Sequence, residues 1–189
     1  EMTQGDSEWT QSIKNQVLRL TELTNSLISL ARMDEHDSRL VMTDFSISDA
    51  VKESLEPLER LAVQQGKTLV SKIQSNISFE GNEEAIRKLV GILADNAIKY
   101  SGEEGEISVT LKATSKGPVL QMKNSVPEIA KGAHDELFER FYRGDSSRSS
   151  EISGYGIGLS IAKAIVNAHK GKITARSEDG KSLLISVLL

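Results

Sequence analysis

The chain has 189 residues, room for one domain with an appendage, and a net charge of −4 from 23 Lys+Arg against 27 Asp+Glu, which lacks the basic surplus of a protein whose main partner is nucleic acid. Cysteine is absent, so there is no disulfide framework and no cysteine ligand or nucleophile, and the scattered histidines make no zinc site. Hydrophobic residues at 38% suffice for a core, yet no run nears the roughly 18 apolar residues of a membrane span, and the first ten residues lack the apolar stretch of a signal peptide.

Residues 9 to 35 read as one long helix. Ile13, Leu20 and Leu27 stand seven apart, with Leu23 and Leu30 between them, a coiled-coil-like seam that packs against other helices; an ordinary amphipathic helix is the alternative. Thr3-Gln4-Gly5-Asp6-Ser7 reads as a turn before it, and Glu35 to Arg39 as a polar link after it. A strand is expected at 40–45. Ser46 or Ser48 can cap the helix that follows, which runs to about Gln65 and stops at Gly66. Pro57 inside it should kink the helix or remove one bond. Two strands follow near 68–74 and 77–80. Asn82 then caps a helix through Tyr100 that buries Ile86, Leu89, Val90, Leu93 and Ala97.

A hairpin runs from Glu106 to Ala113, turns at Lys116-Gly117-Pro118 and returns over Val119 to Met122. A helix is expected from Ile157 to His169, then strands at Lys172–Ala175 and Ser182–Val187. This order lacks regular β-α-β alternation. It predicts an α+β fold, a two-layer α/β sandwich with helices on one face of a mixed sheet, over residues 38–189. Residues 1–37 are expected to form a separate helical segment.

Two motifs carry chemistry. In Asp95-Asn96-Ala97-Ile98-Lys99-Tyr100, the spacing of three puts Asn96 and Lys99 on one helix face. An amide oxygen suits Mg²⁺, and a lysine neutralises phosphate. Alone, the hexapeptide equally suits a solvated helix end. In Gly154-Tyr155-Gly156-Ile157-Gly158, the glycines lead into Leu159-Ser160-Ile161-Ala162-Lys163, an amphipathic helix start. Its free amides and dipole suit phosphates, although a lone Gly-x-Gly-x-Gly often marks only a turn. Arg143 and Arg148 flank Gly144-Asp145-Ser146-Ser147 and either close over phosphates or belong to a solvated lid. Phe138, Phe141 and Tyr142 read as core residues anchoring that lid.

With Leu137-Phe138-Glu139-Arg140-Phe141-Tyr142-Arg143 between them, these motifs resemble the asparagine, phenylalanine and second glycine boxes of bacterial sensor histidine kinases, in that family's order. The resemblance covers roughly residues 12 to 189. It implies the ATP-binding catalytic domain of the gyrase/chaperone/histidine-kinase fold, preceded by the second helix of a phosphoacceptor and dimerisation segment. ATP and Mg²⁺ are the implied cofactors. Asn96 is the implied metal ligand, with Lys99 and Tyr100 bordering the phosphates. Arg143, Arg148, Gly154, Gly156, Gly158 and Leu159 complete the implied ATP-binding set with Asn124.

Asn124 marks a departure. The family's first glycine box, Asp-x-Gly-x-Gly, aligns with Asn124-Ser125-Val126-Pro127-Glu128. The aspartate that reads the adenine amino group becomes an asparagine, whose oxygen still accepts but without charge. Related ATPases carry a water-activating glutamate where this chain has Ile92, which disfavours hydrolysis. None of His36, His134 or His169 has the acidic, arginine-containing surroundings of the family's acceptor. That histidine is therefore expected upstream of Glu1, and the chain is not expected to phosphorylate itself.

The resemblance further implies a response regulator receiver domain as partner, a homodimer through the N-terminal helix, and a cytoplasmic portion of a membrane-anchored sensor whose anchor lies outside these residues. The alternatives are an ATPase or serine kinase of the same fold, and a nucleotide-binding or inert dimerising scaffold.

Overall fold

The computed structural model describes residues 40–142 and 156–189 and, nearer the N-terminus, residues 9–14, 16, 17, 20, 21 and 24. These N-terminal positions are helical, and Trp9, Ile13, Val17 and Leu20 are exposed. Leu23, Leu27, Leu30, the Thr3–Ser7 turn, the Glu35–Arg39 link and His36 lie outside the described residues, as do Arg143, Arg148 and Gly154.

The sheet-bearing part begins with strand β1 (Thr43–Ser46) and helix α1 (Ile47–Gln64). Ser46 is the cap, its hydroxyl accepting from the Asp49 amide at 3.3 Å. Gly66 takes a left-handed φ of 70° just past the end, as a helix stop demands. Pro57 sits within α1 on its exposed side, where water can satisfy the carbonyl that proline leaves without a donor. Strands β2 (Thr68–Ile73) and β3 (Ser78–Gly81) follow. Helix α2 (Glu83–Tyr100) starts at Asn82, whose side chain accepts from the Ala85 amide at 2.8 Å.

Strands β4 (Glu106–Thr114) and β5 (Gly117–Ser125) form the expected hairpin. A two-residue strand, β6 (Gly132–Ala133), and a 3₁₀ turn at Asp135–Phe138 come next. Helix α3 (Gly158–Ala168) and strands β7 (Lys172–Ser177) and β8 (Ser182–Leu188) close the chain.

The main sheet has six strands in the order β2-β4-β5-β8-β7-β6. Among the described residues β2 and β4 alone pair in parallel; the other neighbours are antiparallel. β1 and β3 form a separate antiparallel pair. Alternation decides the faces. Ile107, Val109 and Leu111 of β4, Leu120 and Met122 of β5, and Leu183, Ile185 and Val187 of β8 are buried, and they share one core with α1, α2 and α3. The intervening residues are partly or fully exposed. This is the α+β sandwich expected, with its helices on one face of the sheet.

Candidate functional site

Helix α2 supplies the first wall. Its inner face, through Leu89, Leu93 and Ala97, is buried. Ile92, Asp95 and Asn96 are half-buried beside Lys99, which is exposed. The Asn96 amide makes no hydrogen bond to any described residue. Lys99 pairs with Asp95 one turn back, Nζ to Oδ2, at 2.7 Å. Both partners are about half exposed, so the pair is weak and open to exchange for another anion.

The end of α2 is held from outside. The Lys67 ammonium donates to the carbonyls of Ile98 and Ser101, the latter at 3.0 Å. Burial pushes it below the usual lysine value. A cation on the last carbonyls of a helix complements its dipole. Sequence reasoning missed Lys67; its position just past the Gly66 stop was the available signal. At the other end, Arg87 donates to Glu83 at 2.6 Å and to Glu53 of α1 at 2.7 Å, fixing α2 against α1.

The second wall is the start of α3. Ile157 precedes it and no side chain caps it, so its first amides remain available as donors. Gly158 lies against α2: a methyl placed there would sit 3.6 Å from Ile92 Cγ2. Ile92 and Asn96 are one turn apart, so the free start of α3 and the Asn96 amide belong to adjoining turns of packed helices. Leu159 is half-buried and packs on the core.

Gly156 links the two boxes. Its φ is 69°, its carbonyl accepts from the Phe141 amide at 2.9 Å, and a Cβ would lie 2.6 Å from the Tyr142 carbonyl oxygen. Phe138 is core, as expected. Phe141 and Tyr142 are not: they are 62% and 37% exposed. Phe141 takes a left-handed φ of 63° to reach Gly156, and this turns its ring out of the core.

Asn124 lies at the end of β5, between Ile107 of β4 and Leu183 of β8, and is 3% exposed. It shares the inward face of β5 with Leu120 and Met122, the side on which α2 packs. Its Nδ2 donates to the Ser125 carbonyl at 2.9 Å. The altered first glycine box does not loop away. Val126 N–H bonds Lys181 O at 2.9 Å and Ile129 N–H bonds Gly180 O at 3.2 Å, so the segment follows the β7–β8 turn. Asp179 organises that turn. It accepts from the Ser182 hydroxyl at 2.7 Å and from the Lys181 and Ser182 amides at 2.8 Å each, and these bonds hold its carboxyl down to about 2.

The described histidines are structural. His134 Nδ1 lies 2.9 Å from Glu136 Oε1 and Nε2 lies 2.6 Å from the Ala130 carbonyl. His169 Nδ1 donates to the Ile165 carbonyl, and Nε2 accepts from the Asn82 amide at 3.0 Å. Its ring also packs on Phe79. Among the described residues no group of three or more His, Cys, Asp or Glu could hold a metal ion.

Known proteins share this fold. The family described as histidine kinase-, DNA gyrase B-, and HSP90-like ATPase matches residues 81–189. Sensor protein DltS of Streptococcus agalactiae is 35% identical over 166 residues, 88% of this chain and 42% of that protein, so the chain spans less than half the length of this relative. The structure of Acinetobacter baumannii histidine kinase AdeS superposes with a TM-score of 0.77 at 25% identity, covering 96% of this chain and 83% of that one. ShkA, solved in complex with AMPPNP, gives 0.80 at 20% identity over 99% of this chain and 39% of its own. The chain belongs to the histidine kinase-, DNA gyrase B- and HSP90-like ATPase family, and its fold is the ATP-binding catalytic domain of the sensor histidine kinases.

Proposed function

We propose that residues 38–189 bind ATP with Mg²⁺ and deliver the γ-phosphate to a histidine on a helix outside this sequence, from which it passes to an aspartate of a response regulator receiver domain. One observation carries the reading: the uncapped start of α3 packs at Gly158 against Ile92, one turn from Asn96. Asn96 would hold Mg²⁺ through its unengaged amide oxygen. The ion would supply charge neutralisation to the phosphate oxygens. The α3 amides would hold the phosphates, and Lys99 would turn from Asp95 toward them. Tyr100 would border that space, and Arg143 and Arg148 would close over it. Transfer then depends on positioning more than on a base, and Ile92 offers no base for water.

Residues 1–37 would belong to a dimerising helical segment, for which the exposed stripe of Trp9, Ile13, Val17 and Leu20 is the support. The whole sensor would be membrane-anchored, with this part in the cytoplasm. No helix among the described residues is long and apolar enough to cross a membrane.

Calorimetric titration with Mg-ATP tests the reading. Asn96→Ala should weaken Mg-dependent binding at least about tenfold, the loss of one charge-assisted contact, without lowering the melting temperature. Unchanged affinity removes Asn96 from the role. Absence of any nucleotide binding by the wild type leaves a dimerising scaffold.

A further inference from the structure

The main sheet carries helices on one face, and alternation sets what stands on the other. Ser108, Thr110 and Lys112 of β4 point away from the core beside Lys123, Gln121 and Val119 of β5. The pairing extends this outward face to Lys72 on β2 and to Lys172 and Arg176 on β7. The open face of such a sheet is ordinarily polar, but this one is polar with a single sign. Its strand positions carry five exposed cations, Lys72, Lys112, Lys123, Lys172 and Arg176, against one carboxylate, Glu106. The chain as a whole has a net charge of −4.

These cations are poorly neutralised. On the helix layer, Arg60, Arg87 and Lys99 each bond a carboxylate at 3.2 Å or less. On the sheet face, Lys72, Lys112 and Lys172 have no acidic partner among the described residues. Lys123 and Arg176 reach only exposed carboxylates of the β7–β8 turn, Asp179 at 4.0 Å and Glu178 at 3.9 Å, pairs that contribute little. The five are spread over four strands. With neighbouring strands about 4.8 Å apart, β2 and β7 lie about 19 Å from each other across the sheet. A row of hydroxyl and amide side chains, Thr110, Gln121, Ser186 and Thr174, runs between them.

A plane of charge selects its partner. An acidic peptide presents its carboxylates along a line and seats on a strand edge or in a groove. A single-stranded nucleic acid is held by stacking as well as charge, and no outward strand position here carries an aromatic ring. Anionic lipid headgroups form a plane and meet cations in two dimensions. We propose that the outward face of the main sheet docks on an anionic lipid bilayer through Lys72, Lys112, Lys123, Lys172 and Arg176. The acidic remainder of the chain does not oppose this. The helix layer packs about 10 Å from the sheet and is about 10 Å thick, so carboxylates on its far side stand about 20 Å from the lipid, more than two Debye lengths of about 8 Å. The docking is independent of the nucleotide reading: Asn96 and the start of α3 lie on the helix side and stay open to solvent when the sheet face is covered.

Vesicle flotation of the whole chain tests the proposal. Vesicles of phosphatidylcholine and phosphatidylglycerol in a two-to-one ratio should carry the chain upward in low salt and release it at about 0.5 M salt, and vesicles of phosphatidylcholine alone should not carry it. Each cation near an anionic surface contributes about fivefold in affinity. Lys72→Gln, Lys112→Gln and Lys172→Gln together should therefore weaken binding on the order of a hundredfold. The same charge removed from the helix layer, by Lys52→Gln, Arg60→Gln and Lys163→Gln together, should cost less than about threefold, because those groups are screened from the lipid. If the sheet-face triple variant does not fold, its three single variants decide, each with an expected loss of about fivefold. Equal losses from the two triple variants would assign binding to net charge and overturn the proposal. Flotation on phosphatidylcholine alone, unmoved by salt or by either triple variant, would assign it to the exposed Trp9, Ile13, Val17 and Leu20 stripe and overturn it too. Retention on polyglutamate with no flotation on any vesicle would make the partner an acidic protein segment and refute the bilayer.

Discussion

The imidazole of His169 accepts the backbone N–H of Asn82 at 3.0 Å, joining the residue just past α3 to the cap of α2. The same asparagine donates from Nδ2 to the Val41 carbonyl at 3.1 Å. One residue thus ties together α2, α3 and the approach to β1.

His169→Ala should therefore destabilise the domain by about 1–2 kcal/mol, the cost of an amide left without its acceptor. His169→Gln, which offers an oxygen, should recover part of the loss. Urea unfolding of both variants checks this. Equal losses would mean that packing against Phe79, and not the hydrogen bond, is what His169 contributes.

Neighbouring glycines should respond oppositely to alanine. Gly156→Ala places a Cβ at positive φ and 2.6 Å from the Tyr142 carbonyl oxygen, so it should cost about 2 kcal/mol or more and disturb the hydrogen bond to Phe141. Gly158→Ala adds a methyl in ordinary contact with Ile92 at the first turn of α3 and should change stability by less than about 0.5 kcal/mol, with alanine's higher helix propensity on its side. Denaturant midpoints for the pair decide it; similar losses at both positions would contradict the geometry.

Burial opposes a charge on His134, but the Ala130 carbonyl and the Glu136 carboxylate outweigh it and hold the imidazole above its ordinary value of 6.5. A raised folded value means the proton is held more tightly in the folded state. The contribution is complete below the unfolded value and is lost as pH rises through the folded one. Between about pH 6 and pH 8, across the histidine range, the wild-type melting temperature should fall relative to that of His134→Gln. Parallel curves for the two proteins would show that the pair does not titrate with folding.

How far the sequence foretold this molecule depends on where each feature gets its cause. Asn82, Gly66 and the alternation of Ile107, Val109 and Leu111 act within a few residues of themselves, and each element they imply is present. The resemblance carried the chain to Asn96, Gly156 and Gly158, whose mutual placement then follows from helix packing. The two-residue strand β6 exists only because Ser177 and Arg176 of β7 lie beside it, and nothing local announces it. Lys67 reaches α2 across the fold. Phe141 looks like a core aromatic until a left-handed backbone turns it outward. The path of residues 125–129 is set by carbonyls of the β7–β8 turn, more than fifty residues further along the chain.

The parallel pairing of β2 with β4 in the main sheet has a consequence for how the site comes into being. Parallel neighbours cannot be joined by a tight turn; the chain must leave the sheet, travel and return. Here that excursion contains α2. The helix bearing Asn96 is thus the strap of a crossover, secured on one side by Lys67 before it and on the other by Gly158 beyond the hairpin. Contacts so distant in sequence form slowly, because loop closure precedes any gain from them. A nascent chain that ended before β4 would carry the whole asparagine motif and still lack the walls that make it a site.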